Sequence, residues 1–187
     1  MSTESGKIIL LNGPSSAGKS TLCQALQDQL ELPFLQFSMD FFLFNSKVLP
    51  ARREKEGPFS WSSLRSQLFE GFYRCLVGLA GAGNNLVVEY IIETEEQFAR
   101  LAELLQPFDV FFVGLHCDLA ELERRELARG DRGIGDARRD YEIVHGFSTY
   151  DFEVDSSERA ELNAQRIIQA WKLRKNQGVF ATAAKAS

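Results

Sequence analysis

The chain predicts a single α/β domain built on a five-stranded parallel sheet with helices on both faces. Two observations carry this. Five short apolar segments alternate with stretches of helical periodicity, the pattern of successive strand–helix–strand units. The first apolar segment, moreover, runs through a glycine loop directly into a helix. At 187 residues, 44% of them hydrophobic, the chain is long enough for one full core.

The elements follow in order. Ile8-Ile9-Leu10-Leu11 is a buried strand. Gly13 to Ser20 is a loop, and Leu22, Ala25, Leu26 and Leu30 mark one face of a helix from Lys19 to Leu30. Pro33 breaks it, and Phe34-Leu35-Gln36-Phe37 forms a second strand that ends at Ser38-Met39-Asp40. Residues 41–60 are irregular, with Phe41, Phe42, Phe44 and Phe59 around a charged run. A loop this long in a compact domain is either functional or disordered. Its aromatic residues suit an acceptor-side lid or pocket, or a plug for the end of the sheet.

Ser62 or Ser63 is expected to cap a long helix, with Leu64, Leu68, Phe72, Cys75, Leu76 and Leu79 at helical spacing and Gly81-Ala82-Gly83 ending it. Leu86-Val87-Val88 is a third strand, closed by Glu89. Thr94 and Gln97 form a capping-box pattern ahead of Phe98, Leu101, Leu104 and Leu105. Val110 to Leu115 is a fourth strand. Asp118 and Glu121 open the next helix, and Arg129 to Gly135 is a basic, glycine-rich loop. A short helix over 137–144 precedes a fifth strand, Tyr150 to Asp155. The last helix, Glu158 to Leu173, turns Ile167, Ile168 and Trp171 inward, and a frayed tail is expected from Asn176. The domain therefore spans 1–187, with terminal extensions at 1–7 and 176–187 and a lid at 125–140.

The loop carries the chemistry. Gly13-Pro14-Ser15-Ser16-Ala17-Gly18-Lys19-Ser20 reads G-x-x-x-x-G-K-S between a strand and a helix, the context in which this pattern cradles a triphosphate. Its glycines let successive N–H groups converge on an anion at a helix N-terminus. Lys19 supplies a cation to the β- and γ-phosphates, Ser20 a hydroxyl to Mg²⁺, and Thr21 the next position of the cradle. A nucleoside triphosphate with Mg²⁺ is the ligand expected of this loop.

Ligands of such sheets bind beyond the carboxyl ends of the strands. Asp40 and Glu89 should therefore gather beside the loop. Asp40 is placed to accept a proton from an acceptor hydroxyl, or else to cap the segment after it. Glu89 is placed to hold Mg²⁺ through water, or to be a solvated strand end. Arg125, Arg129, Arg132, Arg138 and Arg139 crowd the glycine segment. Guanidinium forks match a phosphoryl group in flight. Arg129 and Arg132 are the better candidates, and the other reading is a solvated face paired with Glu123, Glu126, Asp131 and Asp136. His116 and His145 read as structural hydrogen-bonders.

A net charge of −5 gives no support for a nucleic-acid partner. Cys23, Cys75 and Cys117 are dispersed and odd in number, as buried thiols of a reducing compartment would be. Lacking an apolar run of spanning length, the chain is expected to be cytoplasmic, with no membrane partner.

The combination resembles the chloramphenicol phosphotransferase-like family of P-loop kinases. The residues that carry it are Ile9 through Ser20, Phe37-Ser38-Met39-Asp40, Val113 through Asp118, Glu126-Leu127-Ala128-Arg129-Gly130-Asp131-Arg132, and Val144-His145 through Tyr150-Asp151-Phe152-Glu153-Val154-Asp155-Ser156-Ser157. The resemblance implies a strand order of 2-3-1-4-5. It also implies ATP, Mg²⁺ and transfer of a phosphoryl group to a hydroxyl of a small molecule. It places the catalytic carboxylate on Asp40, lid arginines on Arg129 and Arg132, and the adenine wall at Val154-Asp155-Ser156. It does not extend over 41–60, so the acceptor stays open: chloramphenicol, a nucleotide sugar or a sugar acid. A non-catalytic nucleotide switch is the remaining alternative.

Overall fold

The computed structural model describes residues 4–45, 47–129, 134–146, 149–174 and 178–183. Its sheet contains β1 (Lys7–Asn12), β2 (Phe34–Ser38), β3 (Asn85–Tyr90), β4 (Asp109–His116) and β5 (Phe152–Asp155). All neighbours are parallel, in the order β2-β3-β1-β4-β5. This is the expected order. The helices are α1 (Lys19–Gln29), α2 (Trp61–Gly81), α3 (Glu95–Leu105), α4 (Leu119–Arg129), α5 (Asp136–Ile143), α6 (Ala160–Leu173) and α7 (Val179–Ala183).

The three central strands, β1, β3 and β4, are near-continuous apolar runs because both their faces are covered. Alternate residues serve opposite sides. Ile9, Leu11, Val87, Phe111, Val113 and Leu115 join a core with Leu22, Leu26, Ala164 and Ile167 from α1 and α6. Ile8, Leu10, Leu86, Val88, Val110 and Phe112 join a second core with Phe72, Leu76, Leu101 and Leu105 from α2 and α3. Register brings Leu11 beside Glu89, Asn12 beside Tyr90 and Gly114, and His116 beside Asp155, so the strand ends line up along one edge. Gly114 is a close-approach position: a Cβ there would lie 2.7 Å from the Tyr150 ring.

The structure departs from the sequence-based expectation at three places. The cap of α2 is Ser60, not Ser62 or Ser63. Its Oγ accepts from the Ser63 N–H at 3.3 Å and donates to the Gly57 carbonyl at 2.7 Å, so the helix starts at Trp61. Residues Phe41–Asn45, expected to be irregular, form one π-helical turn directly after Asp40. The tail is not frayed throughout, because α7 returns to the second core. Phe180 is buried between Phe98 and Phe112, with ring centroids 5.4 and 5.1 Å away. One buried phenylalanine is worth roughly 1.5–3 kcal/mol, enough to hold a helix of this length in place.

The expected cap at α3 forms on its Thr94 side, while Gln97 reaches one residue past the cap. Thr94 Oγ1 accepts from the Gln97 N–H at 3.2 Å, and Gln97 Oε1 reaches back to the Glu93 N–H at 2.8 Å. Among the described residues, no helix is long and apolar enough to cross a membrane.

Candidate active site

Strand β1 delivers the chain into the glycine loop, and the loop's shape follows from its residues. Gly13 passes against the next strand: a Cβ there would sit 2.6 Å from the Leu115 carbonyl oxygen. Ser16 and Gly18 both have left-handed backbone, with φ of 64° and 92°. This is the alternation that turns consecutive N–H groups to one side. The Lys19 ammonium is buried and donates to the carbonyls of Gly13 and Pro14, both at 2.8 Å, tying the ends of the loop together.

Asn12 anchors the base of the loop. Its side chain donates to the Val144 carbonyl at 3.1 Å and the Tyr150 hydroxyl at 2.9 Å, and accepts from the Ile92 N–H at 3.0 Å. His145 joins through Nδ1, 2.6 Å from the Tyr150 hydroxyl, and its ring lies 4.1 Å from that of His116. Burial and the neighbouring His116 push its pKa down to about 4. Both histidines are therefore tied by hydrogen bonds into the frame around the loop. His116 in turn bonds Glu153 at 2.6 Å.

A cavity of about 910 Å³ opens over the loop. Ser15 to Thr21 form one side, and Asp40 and Glu89 stand at the ends of β2 and β3 on the same cavity. The Ser20 hydroxyl donates to Glu89 Oε2 at 2.7 Å, and Gln36 Nε2 holds Oε1 at 3.1 Å. Glu89 is thus engaged with the loop rather than a solvated strand end. A hydroxyl and a carboxylate beside a phosphate cradle are hard oxygen donors, a set that fits Mg²⁺.

Beyond Asp40 the cavity continues between Met39, Leu43, Trp61, Phe69 and Tyr90, with Glu93 on its wall. Arg65 pairs with Glu93 and lies over the Phe69 ring, 4.8 Å from its centroid. The aromatic segment after Asp40 divides its work. Phe42 packs on Phe37 and Phe72 as a plug, with centroids at 6.1 and 5.7 Å, while Leu43 lines the cavity.

The arginines are sorted by their partners. Arg129 is exposed at the cavity rim, whereas Arg132 lies outside the described residues. Arg125, not singled out above, bridges the loop to the segment after β5. Its guanidinium donates to the Ala17 carbonyl at 3.3 Å and to the Ser156 hydroxyl and carbonyl, both at 3.4 Å. Glu121 steers it from one turn earlier at 2.7 Å, and the Arg124 and Arg125 guanidinia hold the Glu121 carboxyl down at about 2.

Ser156 lines the cavity. Asp155 spends its carboxylate on the turn instead, accepting from the Ser157 N–H at 2.7 Å, and these Ser157 bonds lower its pKa.

Two buried carboxylates were missed. Glu126, read above as part of a solvated face, accepts from the N–H groups of Gly135 at 2.9 Å and Ala137 at 2.8 Å. It thereby caps α5. Asp140 accepts from the Ser15 N–H at 3.1 Å. An acid in the interior of a polar helix gives no local sign of such a contact.

With this geometry in hand, the similarities of the chain are specific. Residues 6–172 match the model of the chloramphenicol phosphotransferase-like protein family. A Mycobacterium tuberculosis protein, provisionally named an O-phosphotransferase, is 31% identical over 170 residues, covering 81% of this chain and 76% of that protein. Among solved structures, the Mycobacterium tuberculosis APS kinase bound to AMPPNP and APS superposes with a TM-score of 0.66 at 20% identity, over 90% of this chain and 98% of that one. The Deinococcus radiodurans tunicamycin resistance protein gives 0.62 at 18% identity, also over 90% and 98%. A Sinorhizobium meliloti gluconokinase gives 0.56 at 16%, over 90% and 93%. The fold is shared across all of these, and the family match covers most of the sequence: the chain belongs to the chloramphenicol phosphotransferase-like protein family.

Proposed function

We propose that the protein is an ATP-dependent O-phosphotransferase that moves the γ-phosphoryl group to a hydroxyl of a small molecule. The observation that carries this reading is the continuity of one cavity. It joins the phosphate loop to Asp40 and then to a compartment walled by Trp61, Phe69 and Tyr90. A nucleotide switch needs the first part only.

The residues divide the work. The loop N–H groups and Lys19 hold the phosphates. Ser20 and Glu89 would hold Mg²⁺, which when bound neutralises charge on the phosphate oxygens. Asp40 takes the proton of the acceptor hydroxyl as its oxygen bonds the γ-phosphorus. The bond from that phosphorus to the β-phosphate oxygen breaks, and ADP leaves. Arg129 and Arg132 close over the phosphoryl oxygens, and Arg125 with Ser156 flanks the nucleotide. Most of the acceleration is positioning and electrostatics.

The related Mycobacterium tuberculosis protein bears the name of an O-phosphotransferase, and proteins of the same fold include an APS kinase and a gluconokinase, all consistent with an alcohol or acid-bearing acceptor. The compartment's mixture of aromatic walls and the Arg65–Glu93 pair accommodates chloramphenicol, a nucleotide sugar or a sugar acid. The remaining parts of the reading are a soluble, cytoplasmic enzyme with neither nucleic-acid nor membrane partner.

The test is incubation with MgATP and a panel of hydroxyl compounds led by chloramphenicol, read by mass. An added phosphoryl group that disappears with Asp40→Asn supports the reaction and its base together. Nucleotide binding with no transfer to any member of a broad panel favours the switch.

A further inference from the structure

Asp140 is almost wholly buried, 1% exposed, on α5. Its Oδ2 accepts from the Ser15 N–H at 3.1 Å, across 125 residues of sequence. Its Oδ1 accepts from the neighbouring Arg139 guanidinium at 2.8 and 3.2 Å. A second carboxylate, Asp136, holds the same guanidinium at 3.0 Å. Arg139 is mostly exposed, with its side chain on the cavity wall.

The arrangement is a poor way to gain stability. Burying a carboxylate carries a desolvation cost that a pair with a largely exposed arginine does not repay. An amide side chain would satisfy the Ser15 N–H without that cost. The charge on Asp140 has a use only if Arg139 must be held in one orientation.

We propose that Asp140 is a positioning residue that locks the phosphate loop and the Arg139 guanidinium into one unit, so that the loop's shape and a cation on the cavity wall are set together. The inference rests on the phosphotransferase reading for its kinetic consequence, but the lock itself is a property of the protein without nucleotide. Each carboxylate oxygen has a separate task. Oδ2 keeps Ser15, and with it the entry of the loop, in its nucleotide-ready course. Oδ1 presents Arg139 to the charge that develops during transfer.

Asparagine and alanine at position 140 separate the two tasks. The amide of Asp140→Asn still accepts the Ser15 N–H but no longer attracts Arg139; Asp140→Ala loses both. Three readouts on the full chain are compared with wild type and Arg139→Ala: amide hydrogen exchange over residues 13–18, calorimetric affinity for MgAMPPNP, and phosphate release from MgATP.

Asp140→Asn is expected to retain wild-type exchange and affinity while turnover falls about tenfold, as in Arg139→Ala. The double variant Arg139→Ala/Asp140→Asn should be no slower than Arg139→Ala alone. Asp140→Ala should in addition exchange faster in the loop and bind MgAMPPNP about tenfold more weakly, as loss of one buried hydrogen bond predicts.

Unchanged exchange in Asp140→Ala, or additive turnover losses in the double variant, would overturn the proposal. Should Asp140→Ala not fold, the isosteric Asp140→Asn and the double variant still decide it. A wild-type protein that binds no MgAMPPNP refutes the phosphotransferase reading, while the exchange comparison still reads the lock.

Discussion

Ser20 and Glu89 stand 69 residues apart in sequence and meet at 2.7 Å, the serine hydroxyl donating to the carboxylate. Gln36 fixes the other carboxylate oxygen, so Glu89 is oriented from two sides. An outer carboxylate of this kind typically changes metal affinity 10- to 100-fold. Glu89→Gln is expected to raise the Mg²⁺ concentration needed for half-maximal nucleotide-dependent turnover at least about tenfold. Titrating Mg²⁺ at fixed ATP checks this, and an unmoved midpoint would remove Glu89 from the metal site.

Lys19 has two jobs with separable signatures. Its ammonium ties Gly13 and Pro14 carbonyls together from a buried position, and in the proposed function it is the loop's phosphate cation. Lys19→Met preserves the apolar stem but loses both functions. MgAMPPNP affinity should fall by more than about tenfold, since charge-assisted bonds contribute about 1.5–3 kcal/mol each. The melting temperature should fall as well. Asp40→Asn, by contrast, is expected to leave both nearly unchanged, because Asp40 is an exposed residue that lines the cavity outside the loop. Equal losses of affinity in the two variants would contradict the division of roles.

Glu126 makes the capping of α5 pH-dependent. The Gly135 and Ala137 N–H groups lower its pKa below the ordinary glutamate value of 4.5. A carboxyl whose folded pKa is depressed adds stability at neutral pH, and this is lost as the pH falls from the ordinary value through the folded one. Glu126→Ala should cost about 1 kcal/mol, the usual price of a lost cap, measured by urea unfolding at pH 7. Glu126→Gln, which keeps the shape, should show a shallower loss of stability on acidification. Parallel curves for Gln and wild type would mean that the carboxylate is not the capping species.

Features legible in the sequence are those whose signal is local. The phosphate loop is marked by eight consecutive residues with a strand before and a helix after. Asp40 and Glu89 could be placed because each ends a recognisable strand, and a parallel sheet gathers its strand ends. The strand order came with the family resemblance, not from periodicity. The roles of Arg125, Glu126 and Asp140 are not legible in the sequence. These residues sit in helices with many charges, and nothing nearby distinguishes a buried acid from a solvated one. Ala17 and Ser15, the partners of Arg125 and Asp140, lie 108 and 125 residues away. The short α7 was invisible because five residues carry too little periodicity; Phe180 makes it a helix by supplying an anchor to the core.

His145 offers a test of the frame beneath the loop. The half-buried ring lies 4.1 Å from His116, with Nδ1 on the Tyr150 hydroxyl that Asn12 also holds. Glu153 faces the pair through its 2.6 Å bond to His116 and favours the charged form, but burial and the second imidazole outweigh it and bring the pKa down to about 4, from an ordinary 6.5. The ring is therefore neutral near pH 7. As the pH falls below 6.5 the unfolded chain takes up a proton that the folded chain refuses. Stability is lost between about pH 6.5 and 4 and levels off below, where both states are protonated. An NMR titration of the imidazole C2 proton should give an inflection near pH 4. His145→Gln, which retains a partner for Tyr150, should have a flatter stability profile across that window. An inflection near 6.5, or identical profiles, would show that the imidazole is not held in this environment and that the Asn12–Tyr150 frame is looser than the geometry implies.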